Sequence, residues 1–199
     1  MKAVITGDII NSRSHPTELW LEALQETLNT VGQEPKAWEI YRGDSFQIML
    51  DPDQSILKAL QIKATIKQFE NLDVRLGVGI GEIDYQSDKI TSSNGSAFFR
   101  SGESFEALKK QNFLITSGNK HFDDSINTML SLAMFAANRW TPTVSKVVKL
   151  ALERPGLKQQ ELASLLQKSQ SNISEALKRG AFDEILAMNA YFVSEIKTI

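Results

Sequence analysis

The chain has 199 residues, enough for one large domain or two smaller ones, and its 42% hydrophobic and 23% charged content suits an ordinary globular core. It has no cysteine, which excludes a disulfide scaffold, thiolate metal ligation and a thiol nucleophile; His15 and His121 stand apart in polar surroundings, so a histidine-rich metal site is not expected. The net charge of -2 hides an asymmetry: residues 1–140 carry 14 basic and 18 acidic side chains (-4), residues 141–180 seven and three (+4), and residues 181–199 one and three (-2). A basic block in an acidic chain points to a separate module with an anionic partner. Neither a signal peptide nor the run of about 18 apolar residues of a membrane helix is visible, so a cytoplasmic protein without a membrane partner is expected.

In chain order, Lys2–Thr6 reads as a short buried strand that stops at Gly7-Asp8. The segment "SHPTELWLEALQETLNTVG" reads as a helix opened by Pro16-Thr17 and closed by Gly32, with Leu19, Ala23, Leu24, Leu28 and Val31 on its core face. Trp38–Tyr41 and Phe46–Leu50 are two strands joined around Arg42-Gly43-Asp44-Ser45, a hairpin signature. The next helix, residues 51–71, has two apolar faces, one of Ile56, Leu57, Leu60 and Ala64 and one of Ile62, Ile66 and Phe69. A helix on a sheet needs only one, so the second is expected to meet another subunit or domain.

"LDVRLGVGIGEIDY" alternates Val74, Leu76, Val78 and Ile80 with Arg75, Gly77, Gly79 and Gly81, a long strand with one nearly bare face. A polar loop over 86–94 leads to a helix over 95–110 through Ala97, Phe98, Ser101, Phe105 and Leu108, then a strand in "NFLITSG", then helices near 123–138 and 142–153. The order, βαββαββαβ and then all helix, predicts an α+β protein with a ferredoxin-like antiparallel core and helices on one face.

In such a core the first strand is central and pairs with the following hairpin, so Asp8 and Asp44 converge at one edge of the sheet. Two carboxylates so placed repel unless one is protonated or a cation lies between them, and carboxylates with water suit Mg²⁺ or Mn²⁺. The plainer alternative is that each Asp makes a side-chain turn after a glycine of positive φ.

"VITGDII", "YRGDSFQIML" and "VRLGVGIGEI" together resemble the core of class III nucleotidyl cyclases and, more distantly, other palm-type domains. The resemblance covers about residues 1–118 and implies a metal site of Asp8, the Ile9 carbonyl and Asp44. A "GDI..SR" start, here Gly7-Asp8-Ile9 with Ser12-Arg13, and a "GDSFQ" hairpin, here Gly43 to Gln47, resemble the SatD family over the whole chain. Ser12, Arg13 and Arg42 are then the expected nucleotide or phosphate contacts. The chain departs from an active cyclase. Phe99 and Glu103 stand where an Asn and an Arg would stabilise the α-phosphate, and Ile40 falls where a base-reading Lys is usual. Catalytic residues of that class are therefore not expected.

In the basic block, "LKQQELASLLQKSQSNISEALKRG" resembles a helix-turn-helix. Leu162, Leu166, Ile173 and Leu177 have the spacing that two crossing helices need, Ala163 is small at their closest approach, and Ser169 is the expected N-cap of the second helix. That helix exposes Gln170, Ser171, Asn172, Ser174 and Lys178 to base edges, with Lys168 and Arg179 flanking it for phosphate. Gln167 falls at the turn position that usually holds Gly, which costs roughly 1 kcal/mol if left-handed, and Lys168 falls where an apolar residue is usual. "TPTVSKVVKLALERPG" supplies the preceding helix, with Pro142 in its first turn and Pro155-Gly156 as its break.

The sequence thus predicts a cyclase-like palm domain over 1–120, a connecting helix over 121–140 and a helix-turn-helix domain over 141–199. The expected function is a DNA-binding transcriptional regulator, a homodimer with a degenerate nucleotide- or metal-sensing or dimerisation domain. The alternative is a metal-dependent nucleotide-binding or nucleotide-processing enzyme with an accessory helix-turn-helix. A purely structural helical module is the plain alternative for the C-terminal part.

Overall fold

A computed structural model describes residues 1–109 and 111–199. Among them a five-stranded sheet is formed by β1 (Lys2–Ile10), β2 (Trp38–Tyr41), β3 (Ser45–Leu50), β4 (Asp73–Gly81) and β5 (Phe113–Thr116). The strand order is β2-β3-β1-β4-β5. Interleaved are α1 (Thr17–Asn29), α2 (Ser55–Ile66) and α3 (Ser96–Ala107), followed by α4 (Lys120–Ala137), α5 (Pro142–Glu153), α6 (Gln159–Leu165), α7 (Gln170–Arg179) and α8 (Phe182–Glu195). The fold is α+β, with the ferredoxin-like order in its first four strands. Two details differ from expectation. The element order counted two strands between the second and third helices, but only β4 forms there, with an isolated Tyr85↔Asn94 bridge beyond it. The sheet is mixed, because β5 joins β4 in parallel after the α3 crossover. Lys110, the last residue of the expected third helix, lies outside the described residues.

β1 runs through Gly7-Asp8 to Ile10 rather than stopping before them. Antiparallel pairing on both sides holds it, Asp8 lying opposite Ser45 of β3 and opposite Arg75 of β4. Gly7 sits beneath the Phe46 ring, where a Cβ would come within 2.2 Å of the ring carbon Cζ. Gly43 serves differently: it and Arg42 both take left-handed backbone, φ 91° and 56°, to turn the hairpin.

The face of β4 bearing Leu76, Val78 and Ile80 enters the main core with Ile5, Phe46 and Ile48, against α1 and α2. The glycine face receives α3, so helices cover both faces of the sheet, not one. A Cβ on Gly79 would lie 2.1 Å from both the Ala97 carbonyl and the Ser101 amide. Such close approach selects small polar residues on α3: Ser101 and Ser104 are buried there, and Ser104 donates to the Val78 carbonyl at 3.0 Å. Phe98 and Phe105, expected in the core, are only half-buried.

The second face of α2 is also accounted for. Ile62 and Ile66 are fully buried within the chain and Phe69 lies edge-on to His15 at 6.3 Å, while α5 packs on α2 where Gln61 reaches Glu153 at 3.2 Å. The face expected to meet another subunit or domain is therefore largely covered within the chain. No helix among the described residues is long and apolar enough to cross a membrane.

Candidate functional site

Two groups of predicted residues come together. The first lies where β1 leaves the sheet beside the β2–β3 turn. The Ile9 amide donates to the Asp44 carbonyl at 3.1 Å, which brings Asp8, Ile9 and Asp44 to one sheet edge as the topology predicts. Ser12, in a short 3₁₀ turn after β1, donates to the Asp44 carboxylate at 2.7 Å. Arg13 and Arg42 are exposed at the rim.

Three residues of this corner were not singled out from the sequence. Arg75 places Nη2 2.6 Å from Asp8 Oδ2. Ser45 Oγ lies 3.4 Å from Asp8 Oδ1. Tyr41 approaches Asp8 and Arg42: burial raises its phenol pKa above 10.0, Arg42 opposes that shift and Asp8 adds to it. Arg75 was legible only as a residue on the bare face of β4. Its partner follows from the β1–β4 register, which no local pattern reveals.

The Tyr41 shift has a measurable sign. A native pKa above the unfolded value means that the neutral phenol's contribution to stability is complete below pH 10.0 and is lost as pH rises through the native value. Tyr41 is expected to ionise late, above pH 10.0, in a phenolate absorbance titration, and Tyr41→Phe should remove that late step. A late step that survives the substitution would place the Tyr41 ring elsewhere.

The donor set does not fit a resident Mg²⁺ or Mn²⁺. One oxygen of Asp8 is taken by a guanidinium and one of Asp44 by a hydroxyl. Among the described residues no three Asp, Glu or His side chains gather as a metal-holding group. Phe99 is 67% exposed on α3, Glu103 is exposed beside it, and Arg100 donates to the Ile80 carbonyl at 2.7 Å.

The second group lies on α6, α7 and the turn between them. Gln167 does take the left-handed conformation, φ 52°, at the position where glycine is usual. Its amide donates to the Ser164 carbonyl at 3.3 Å and the Lys168 amide to the Ala163 carbonyl at 2.9 Å, the bond pair of a Schellman turn. Ser169 caps α7 as expected, its hydroxyl accepting from the Asn172 amide at 3.2 Å. α7 buries Ile173 and Ala176 against α5 and α6. Its other side exposes Gln170, Ser171, Asn172, Ser174, Lys178 and Arg179, while Lys168 is half-buried at the turn. Arg179 pairs with Glu175 one helical turn away, an exposed contact that binding can exchange at little cost. A cleft of about 520 Å³ beside the turn is lined by Lys146, Lys149 and Lys168. Lys146 and Lys149 were counted in the basic block but not assigned a role.

The family model of SatD matches residues 2–189, and the chain belongs to the SatD family. No curated protein and no solved structure matches it.

Proposed function

We propose that this member of the SatD family binds duplex DNA through α7 and acts as a transcriptional regulator. The observation that carries the reading is the division of α7 into two sides. Its apolar side is spent on α5 and α6, and the other side offers amides, hydroxyls and two cations to solvent, with Asn172, Ser174 and Lys178 making no side-chain hydrogen bond among the described residues. Short amides and hydroxyls at the start of a helix suit base edges in a major groove, and the flanking Lys168, Lys178 and Arg179 suit phosphates. The sheet domain then serves as a sensing or scaffolding unit with its Asp8–Asp44 corner, next to Ser12, Arg13 and Arg42, facing outward. Because Arg75 already neutralises Asp8, that corner suits a sensing or scaffolding role better than a nucleotide-processing centre.

The test is a mobility shift with the DNA upstream of the protein's own coding sequence and with random duplex, each at two salt concentrations. Retardation at low salt is expected, weakening steeply as salt rises because lysine and arginine contacts displace counterions from phosphates. No retardation of either duplex at low salt would leave α5 to α8 as a packing or protein-interaction module.

A further inference from the structure

We infer that Arg75 stands in the place of a divalent cation, so that the Asp8–Asp44 corner is a metal-free acidic site closed by the chain's own guanidinium. Its position is set by the backbone. Arg75 is the direct cross-strand partner of Asp8 in the β1–β4 ladder, and side chains so paired project from the same face of the sheet. The contact is a short charge-assisted bond, 2.6 Å from Nη2 to Asp8 Oδ2. The guanidinium is steadied by the Phe105 ring, whose centroid lies 5.2 Å from Cζ. α3 can bring Phe105 that close because the next residue on the same face of β4 is Gly77, where a Cβ would lie 2.4 Å from the Phe105 amide.

The electrostatics follow. Asp8 needs a countercharge in this part-buried corner, and the fixed guanidinium supplies it while repelling a second cation. Ser12 on Asp44 and Ser45 beside Asp8 meet much of the remaining hydrogen-bond demand without a metal's coordination shell. Arginine is never deprotonated at working pH, so unlike a bound ion this countercharge is neither lost to chelators nor dependent on metal supply.

The test is a titration with Mn²⁺ followed by electron paramagnetic resonance. The wild-type chain should show no stoichiometric site at this corner. Arg75→Met removes the guanidinium and should create one, with affinity rising at least about tenfold over any residual wild-type binding. Adding Asp8→Asn to that variant should abolish the gain. The Arg75 side chain is 42% exposed, so its loss is not expected to unfold the protein, and circular dichroism checks this. Arg75→Gln serves as a second variant. Two results would overturn the inference: an Asp8-dependent Mn²⁺ site in the wild-type chain as tight as in the variant, or a folded Arg75 variant that gains none. The wild-type titration reads out without any variant.

Discussion

Replacing Gly79 with alanine is expected to destabilise the protein by about 3 kcal/mol or more, at the upper end of overpacking costs. The new methyl would meet the Ala97 carbonyl and the Ser101 amide, both at 2.1 Å, and both are backbone atoms that no rotamer change can move aside. Relief requires α3 to lift from β4, which breaks the Ser104 bonds to the Val78 carbonyl and to Thr116 and loosens Phe105 over Arg75. Gly102 on the same helix is the control. A Cβ there has open space, so Gly102→Ala should stabilise by about 0.5–1 kcal/mol through helix propensity alone. Urea unfolding of the two variants checks both numbers. Equal, small effects would mean that α3 does not sit on the glycine face.

Asp73→Asn is expected to cost about 3 kcal/mol, as breaking one side of a buried ion pair generally does. Lys63 on α2 is 1% exposed and holds Asp73 at 2.6 Å, and Lys67 shares the same carboxylate at 3.4 Å. Asparagine keeps an oxygen for the Val74 amide but leaves a buried ammonium without a countercharge. Burial lowers the Lys63 pKa, the Asp73 charge and hydrogen bond work against that shift, and Lys67 adds to it. With the native pKa below the unfolded 10.5, the folded state binds fewer protons between the two values, so stability rises with pH through the native pKa toward 10.5. Removing Asp73 lowers the native pKa further and widens that window. The deficit of Asp73→Asn should therefore be largest near neutral pH and shrink under alkaline conditions. Adding Lys63→Met should recover more than half of it. A pH-independent loss below 1 kcal/mol would show that Lys63 is not held as a buried cation.

Local patterns carried much of this fold. The alternation in β4, the Arg42–Ser45 turn and the Ser169 cap are each set by residues adjacent in sequence, and each stands where the pattern put it. Long-range packing was less legible. Periodicity placed Leu19, Leu24 and Leu28 on the core face of α1; Leu24 and Leu28 are buried, but Leu19 is 56% exposed and Trp20, one turn before Leu24, fills the core in its place. The bare face of β4 was visible, but not that a helix fills it, because the complementary signal on α3 is small serines rather than an apolar stripe. The surplus face of α2 was visible as well, and only the structure shows that Ile62 and Ile66 are buried within the chain.

The candidate sites divide in the same way. Gly7-Asp8 and Gly43-Asp44 look alike in sequence but differ in cause: Gly43 turns a hairpin, whereas Gly7 makes room for the Phe46 ring inside a strand. The convergence of Asp8 and Asp44 follows from topology alone. Arg75 does not, since reaching Asp8 depends on the β1–β4 register across more than sixty intervening residues.

The most direct measurement of the DNA-binding account is an anisotropy titration of labelled duplexes with the wild-type chain, Asn172→Ala and Lys178→Ala over a range of salt concentrations. The account predicts saturable wild-type binding whose affinity falls steeply with salt. Lys178→Ala should weaken binding to every duplex alike and reduce the salt slope by about one, and Asn172→Ala should narrow the difference between preferred and random sequence while leaving the slope unchanged. Absence of saturable wild-type binding to any duplex at low salt, or variants indistinguishable from wild type in both affinity and slope, would contradict the assignment of α7 to DNA.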